Sequence, residues 1–405
     1  MALIVQKYGG SSLADAEKIT NVAKRIGKAS DKSNQIVVVV SAMGDTTDDL
    51  IQLASCVSER PEPRELDLLL SSGELVSCTL MAMALRCLGY QAISLTGLQA
   101  GIQTDTAFGR ARISGIDPHR IRRELELGKI TIVAGFQGFT EDMDVTTLGR
   151  GGSDTTAVAL AAVLEAERCE VYTDVEGIYT ADPRVVPEAR KIDHITFEEM
   201  LELAAYGAKM HPRSIELGKV YNVPIYIASS ISEAKGTLVN GDSSMMEHRV
   251  KVTGIAADRN VAKITLRGVH DQPGIAAALF EPLSDLGISI DTIVQNASSD
   301  LYTDLSFTVA RGDLEATIEG VRQFDNRIGA REVLSDRALS KVSIVGAGMM
   351  DAPGYAAKMF RALADASINI DMITTSEIRI TCIIAESRIE EAVRVLHKAF
   401  ELEMG

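Results

Sequence analysis

Eleven consecutive residues, Thr146-Thr147-Leu148-Gly149-Arg150-Gly151-Gly152-Ser153-Asp154-Thr155-Thr156, place three glycines, one cation and one carboxylate ahead of the apolar run Ala157–Leu164. The run predicts a helix with Ser153 or Asp154 as its cap. A glycine-rich loop opening onto a helix start presents free N–H groups and a positive dipole end, the makings of an anion site. Arg150 adds a fork suited to a carboxylate, and Asp154 a group able to orient cations. The spacing fits neither the Walker A loop nor the dinucleotide fingerprint. A second turn, Lys7-Tyr8-Gly9-Gly10-Ser11-Ser12, sets a lysine before Gly-Gly-Ser-Ser and a helix. Lys7 could meet a phosphate whose oxygens the loop N–H groups hold, although a plain strand–turn–helix link explains this stretch equally well.

Alternating strands and helices must position these loops over residues 1–245. Leu3–Lys7, Gln35–Ser41, Gln91–Leu95, Ile130–Gly135, Cys169–Thr173 and Val223–Ala228 read as strands. Ala14–Ala29, Asp48–Ser58, Glu65–Leu88 and the stretch from Phe197 read as helices. The continuous Val/Ile runs suit a buried, mainly parallel sheet, and the series closes at Ala228. Polar and glycine residues gather after the strand ends, where open α/β sheets bind ligands.

A polar linker, 240–249, precedes two copies of one module. Asp271-Gln-Pro-Gly returns as Asp351-Ala-Pro-Gly, and twelve of the twenty-three positions from Asp271 to Ile293 are identical eighty residues later. Each copy reads strand (Ala262–Leu266; Lys341–Val345), turn, helix, strand, turn, strand, helix, with the proline near the first helical position.

Composition narrows the class. Aromatics make up 4 %, Trp is absent and the net charge is −15, which disfavours nucleic acid as a partner. The five cysteines and six histidines are scattered, so buried free thiols in a reducing cytoplasm are expected and a metal site is not. The N-terminus enters a strand at once, without a signal peptide, and no apolar run suggests a membrane span.

Further motifs extend the first two: Ser41-Ala42-Met43-Gly44-Asp45-Thr46-Thr47, Ser72-Gly73-Glu74, Thr173-Asp174, Tyr179-Thr180-Ala181-Asp182-Pro183-Arg184 and Gly207-Ala208-Lys209. With these in order, the chain resembles the aspartokinases, within the amino-acid-kinase family. The resemblance implies a three-layer αβα kinase domain (1–245) with a mainly parallel central sheet. Two α+β ferredoxin-like ACT domains follow, in the regions 250–335 and 336–405. It implies phosphoryl transfer from ATP with Mg²⁺ to the β-carboxylate of L-aspartate. An acetylglutamate or glutamate kinase, or a non-catalytic ACT sensor, are the alternatives.

By the same resemblance, Lys7 and Lys209 bracket the transferred group, and Asp154 orients the lysines. Gly9, Gly10 and Ser11 hold phosphate oxygens. Arg150 forks onto the α-carboxylate and Glu74 accepts from the α-ammonium, with Ser41 and Thr47 beside them. The Gly151-Gly152-Ser153 turn approaches the reacting carboxylate. Thr173, Asp174, Tyr179, Asp182 and Arg184 surround the nucleotide, and His211 is structural. Lysine and/or threonine act as feedback effectors. Their site corresponds to Asp271, Gly274, Ile275, Ala276, Gln295 and Asn296 in the first copy, and to Tyr355, Ala356, Asn369, Ile370, Ser376 and Glu377 in the second. Each of these could instead be a cap or turn residue. A homodimer through the ACT domains, or assembly with a shorter ACT-only subunit, is expected.

Overall fold

A computed structural model describes residues 2–205, 210–241, 252–296, 301–323, 329–349 and 353–404. The chain divides into two compact units, Met1–Tyr179 with Lys191–Glu247, and Thr180–Arg190 with His248–Gly405.

The first unit contains strands β1 (Leu3–Tyr8), β2 (Gln35–Val40), β3 (Ala92–Leu95), β4 (Ile102–Thr104), β5 (Ile113–Ile116), β6 (Ile130–Ala134), β7 (Gln137–Phe139), β8 (Val145–Thr147), β9 (Arg168–Thr173), β10 (His194–Thr196), β11 (Ile225–Ser229) and β12 (Thr237–Asn240). Its helices are α1 (Ala16–Ser30), α2 (Thr46–Val57), α3 (Pro63–Cys87), α4 (His119–Glu126), α5 (Gly152–Val163), α6 (Phe197–Ala205) and α7 (Pro212–Val220). Eight strands form the central sheet in the order β10-β12-β11-β9-β1-β2-β6-β3, parallel except between β11 and β12. The Ile-Val-Val-Val-Val run of β2 is buried throughout, as a strand covered on both faces requires. β12 extends the series past Ala228, because it turns back antiparallel onto β11. A separate four-stranded sheet, β5-β4-β7-β8, is built of strands too short to show alternation in sequence.

Register brings the strand ends together. Tyr8 stands beside Val40 and Tyr172, Val40 beside Ala134, and Thr173 beside Ser229. The loops after β1, β2, β6, β9 and β11 therefore share one sheet edge.

Helix α3 is long and apolar enough to cross a membrane by length and composition alone, a feature its interspersed polar residues hid in the sequence. Half of its most apolar window is buried in the unit, and its inner face carries Asp67, Ser71, Glu74, Cys78 and Met81. Two of the five free cysteines, Cys56 and Cys87, are exposed rather than buried, because they lie on the outward faces of α2 and α3.

The second unit holds β13 (Gly254–His270), α8 (Ile275–Asp285), β14 (Ile290–Gln295), β15 (Tyr302–Val309) and α9 (Leu314–Gln323). The same pattern follows as β16 (Glu332–Val345), α10 (Tyr355–Asp365), β17 (Met372–Thr375), β18 (Arg379–Ala385) and α11 (Ile389–Ala399). The six strands form one antiparallel sheet, β14-β15-β13-β16-β18-β17. The expected short strands are segments of β13 and β16, which pair with each other along polar stretches that show no apolar alternation. Pairing between the copies, rather than local pattern, makes those stretches strands. Reciprocal ion pairs join the copies: Lys263 Nζ to Asp371 Oδ2 at 2.5 Å, and Lys341 to Asp291. Helices α8 and α10 begin after Gly274 (φ +93°) and Gly354 (φ +104°). Pro273 thus precedes the cap instead of occupying the first helical position, since the left-handed glycine makes the turn. Most of the expected linker, and Asp351 of the second turn, lie outside the described residues.

Candidate active site

At the shared sheet edge, β1 delivers Lys7 and α5 delivers Asp154, and their side chains meet at 2.7 Å. Both are largely buried. Helix α5 starts at Gly152 with left-handed Gly151 (φ +70°) as its cap, so neither Ser153 nor Asp154 caps it. The glycine turn starts the helix early and puts both side chains in its first turn, facing the sheet. Space also demands glycine here, because a Cβ at Gly151 would lie 2.3 Å from His211 Cβ. Arg150 is exposed between Gly149 and Gly151, both left-handed. Ser153 packs against Gly135, where an added Cβ would approach Ser153 Cβ to 2.8 Å.

The loop after β1 closes on the loop after β2. Gly44 N–H donates to the Gly10 carbonyl at 3.1 Å, and a Cβ at Gly10 would lie 2.7 Å from the Ala42 carbonyl oxygen. Gly9 sits beside Lys7 Nζ, which a Cβ there would approach to 3.5 Å. Ser11 is exposed in the short 3₁₀ turn Gly10–Leu13, and Ser12 Oγ meets Ser230 Oγ at 2.7 Å.

Glu74 is 3 % exposed on the inner face of α3. Its Oε1 accepts from Ala42 N–H at 3.1 Å, while Oε2 has no hydrogen-bond partner among the described residues. Burial pushes this carboxyl up to about 7, against the lowering effect of the Ala42 N–H. A buried acceptor lacking a donor is expensive unless a ligand supplies one. Ser41 and Thr47 are half-buried nearby in sequence. The Ser41 carbonyl accepts from Ser77 Oγ at 2.7 Å, one turn along α3 from Glu74.

Thr173 ends β9 and Asp174 follows it, beside the Gly9 turn: Gly9 N–H donates to the Tyr172 carbonyl at 3.4 Å. Tyr179 bridges antiparallel to Lys191, and burial raises its phenol with Glu176 adding to the effect. The chain then leaves the first unit. Asp182 and Arg184 belong to Thr180–Arg190, in the second unit, where Arg184 forks onto Asp182 with Nη2 at 2.6 Å. Lys209 lies outside the described residues. His211 caps α7 by accepting from Arg213 N–H at 3.3 Å, and burial lowers its imidazole.

Two further residues hold this architecture. Arg213 donates to the carbonyls of Leu148 and Ala111 at 3.2 and 3.1 Å. Asp67, buried in the second turn of α3, receives both the N–H and the hydroxyl of Thr147, each at 2.7 Å. Sequence reasoning passed over both, because an acid early in a helix and an arginine after proline each read as ordinary helix ends.

In the second unit, Asp271, Gly274, Ile275 and Ala276 form the turn from β13 into α8. Strand register puts the end of β14, with Gln295 and Asn296, at the same sheet end. Tyr355 and Ala356 likewise share an end with Ser376 and Glu377. Asn369 and Ile370 lie at the opposite end of β17, next to the Asp371 that receives Lys263.

Comparison with known proteins matches these parts. The amino acid kinase family model matches residues 2–229, and ACT domain models match 264–325 and 342–400. The chain is 52 % identical over 408 aligned residues to an aspartokinase of Mycolicibacterium smegmatis, covering 99 % of this chain and 97 % of the relative. It is 50 % identical to an aspartokinase of Corynebacterium glutamicum, over 99 % and 97 % of the two chains. E. coli aspartokinase III in complex with aspartate and ADP superposes with a TM-score of 0.83 at 28 % identity, covering 98 % of this chain and 99 % of that one. With one kinase model spanning more than half of the chain and aspartokinase relatives matching it over nearly its whole length, the chain belongs to the aspartokinase family.

Proposed function

We propose the following division of labour for this ATP-dependent aspartate kinase. The β-carboxylate of aspartate attacks the γ-phosphorus of ATP; the bond to the β–γ bridging oxygen breaks, ADP leaves, and 4-phospho-L-aspartate forms. The nucleophile is already ionised at neutral pH, so no general base is required. The difficulty is electrostatic, since two anions approach and charge moves onto the leaving phosphate. Lys7 stabilises that charge, held in place by Asp154, and the Gly9–Ser11 turn supports phosphate oxygens through its backbone. Thr173, Asp174 and Tyr179 flank the nucleotide. Asp182 and Arg184, in the second unit, are assigned there by resemblance alone.

Aspartate is gripped at two points. Glu74 accepts the α-ammonium and Arg150 forks onto the α-carboxylate. Gly151, Gly152, Ser153, Ser41 and Thr47 complete that side. Glu74 Oε2 carries this reading: a buried carboxylate oxygen with no hydrogen-bond partner among the described residues suits a free amino acid and not an N-acylated one.

Among the described residues, no group of three or more His, Cys, Asp or Glu side chains forms a metal cage. Mg²⁺ suits such a site, because it binds mainly phosphate oxygens and water and needs few protein carboxylates. By resemblance it would sit on the phosphates and neutralise their charge.

The tandem modules bind lysine and/or threonine, and this binding shifts the catalytic unit toward a less active state. E. coli aspartokinase III has been solved in complex with lysine and aspartate, at 26 % identity and a TM-score of 0.76. The outermost strands β14 and β17 leave backbone groups available for a second copy, which supports a homodimer through these modules. The enzyme works in the cytoplasm.

The test is an ADP-release assay with aspartate, glutamate and acetylglutamate, with and without lysine, threonine and their mixture. Turnover with acetylglutamate alone overturns the aspartate reading. Saturation curves indifferent to both effectors overturn the feedback reading.

A further inference from the structure

We propose that Asp67 is a positioning residue that sets the spacing between Glu74 and the Arg150 loop, and thereby governs affinity for the amino-acid substrate. The inference rests on the assignment of Glu74 and Arg150 as the two grips on aspartate.

Asp67 is 1 % exposed. Its oxygens are met by two loops. Oδ1 accepts from Thr147 Oγ1 at 2.7 Å and Gly109 N–H at 3.0 Å; Oδ2 accepts from Thr147 N–H at 2.7 Å and Gly109 N–H at 2.9 Å. Burying a carboxylate is costly, and a neutral side chain could satisfy one or two of these donors. Only a carboxylate accepts from all three, with charge-assisted strength.

The two loops lead directly to the exposed arginine. Thr147 ends β8, two residues before the glycine turn. Ala111 N–H donates to the Thr147 carbonyl at 2.9 Å, and Gly149 packs so closely on Gly109 that a Cβ would lie 3.1 Å from its carbonyl oxygen. Arg213 ties the carbonyls of Leu148 and Ala111 together. Residues 109–111 and 147–149 therefore form one braced unit, and Asp67 fastens it to α3.

Helix α3 also carries Glu74, seven residues later on the same buried face, roughly 10 Å along the axis. One rigid helix thus fixes both grips. The α-ammonium and α-carboxylate of an amino acid share a single carbon, so their separation is set by covalent geometry, and a misplacement of about 1 Å costs on the order of 10²-fold. The Gly9–Ser11 turn and Lys7 hang from β1, and none of the hydrogen bonds of Asp67 reaches them. The consequence is selective: loosening Asp67 weakens aspartate and spares ATP.

The experiment measures KM for aspartate and for ATP, with thermal melts, in D67N, T147V and T147S of the full-length chain. E74Q and R150A are measured in parallel. D67N is expected to raise KM for aspartate by about 10- to 100-fold while KM for ATP stays within about threefold. T147V gives a smaller rise, and T147S, which keeps the hydroxyl, returns to the wild-type value. Equal KM for both substrates in D67N and wild type, or a parallel rise in both, overturns the proposal. If D67N does not fold, T147V and T147S decide, and identical aspartate KM in the two overturns it. E74Q and R150A separate the underlying reading: if both lose aspartate affinity while D67N does not, only the positioning role fails. If both keep it, the two-grip assignment fails and the inference falls with it.

Discussion

Lys7 Nζ lies 2.7 Å from Asp154 Oδ1, with the two side chains 12 % and 10 % exposed. The pair joins the end of β1 to the first turn of α5, so one contact fixes the cation relative to the glycine loop. A cation fixed before substrate arrives needs no reorganisation when charge develops on the leaving phosphate. D154N is expected to lower kcat by about 10²- to 10³-fold, the range for losing one preorganised group, with little change in either KM. K7M removes the cation itself and should fall at least as far. Steady-state kinetics check this, and unchanged kcat in D154N would exclude the organising role.

Glu74 makes a pH prediction with a definite sign. Its carboxyl is pushed up to about 7 by burial. Below that pH the free enzyme holds a neutral Glu74, which must lose its proton before pairing with an ammonium. Aspartate affinity should therefore fall about tenfold per pH unit below 7. In E74Q the affinity is weak and flat with pH. Calorimetry near pH 6.5 in buffers of different ionisation enthalpy should show proton release on aspartate binding in the wild type and none in E74Q.

The same shift bears on stability. The folded form binds the proton more tightly than the unfolded chain, whose carboxyl titrates near 4.5. Between those values the folded state holds more protons, so stability is lost as pH rises from 4.5 to 7. The penalty above pH 7 is on the order of 3 kcal/mol. E74Q should melt higher than wild type at pH 8, with the gap closing toward pH 4.5. A lower melting temperature for E74Q at pH 8 would contradict the partnerless geometry of Oε2.

Gly9 and Gly10 should fail in different ways. A Cβ at Gly10 would strike the Ala42 carbonyl at 2.7 Å and Gly44 at 3.1 Å, both backbone and both locked by the Gly44–Gly10 hydrogen bond. G10A is expected to lose about 1–3 kcal/mol of stability, read by denaturant melts. At Gly9 the contacts are ordinary, 3.5 Å to Lys7 Nζ and 3.9 Å to the Tyr172 carbonyl. G9A should fold normally and lose turnover, because its methyl stands beside the catalytic lysine. Equal stability losses in both would mean that Gly9 serves only the turn.

What the sequence revealed follows from the range of the interactions involved. The apolar runs of β2 and β6, and the apolar opening of β1, made these strands and the polar loops at their ends legible. Glu74 was found through Ser-Gly-Glu within a set of motifs. Asp67 was not, because its meaning lies in donors from residues 109 and 147, far along the chain. The strands β4, β7 and β8 have three residues each, too few for any period. The start of α5 was misplaced because a left-handed glycine, not a side-chain cap, begins it. The long pairing of β13 with β16 depends on the partner copy and leaves no local pattern.

That Thr180–Arg190 belongs to the second unit was not legible either, and this segment carries the last prediction. The resemblance assigns its Asp182 and Arg184 to the nucleotide, while Ala181 and Val186 are buried in the apolar cluster of the second tandem copy. Thr180 Oγ1 meets His397 Nε2 at 3.0 Å, and Arg190 Nε donates to the Leu402 carbonyl at 2.9 Å. Burial lowers the His397 imidazole despite the nearby Glu403. The segment follows Tyr179 directly in the chain, and Tyr179 is assigned to the nucleotide. V186A should cost about 1–3 kcal/mol through its cavity and also raise KM for ATP, because the loosened segment begins one residue after Tyr179. V393A opens a cavity in the same apolar cluster from α11, outside the segment. It should cost similar stability and leave KM for ATP unchanged. Kinetics and melts on the two variants check this, and matched KM values would show that the segment anchors the chain without tuning the nucleotide site.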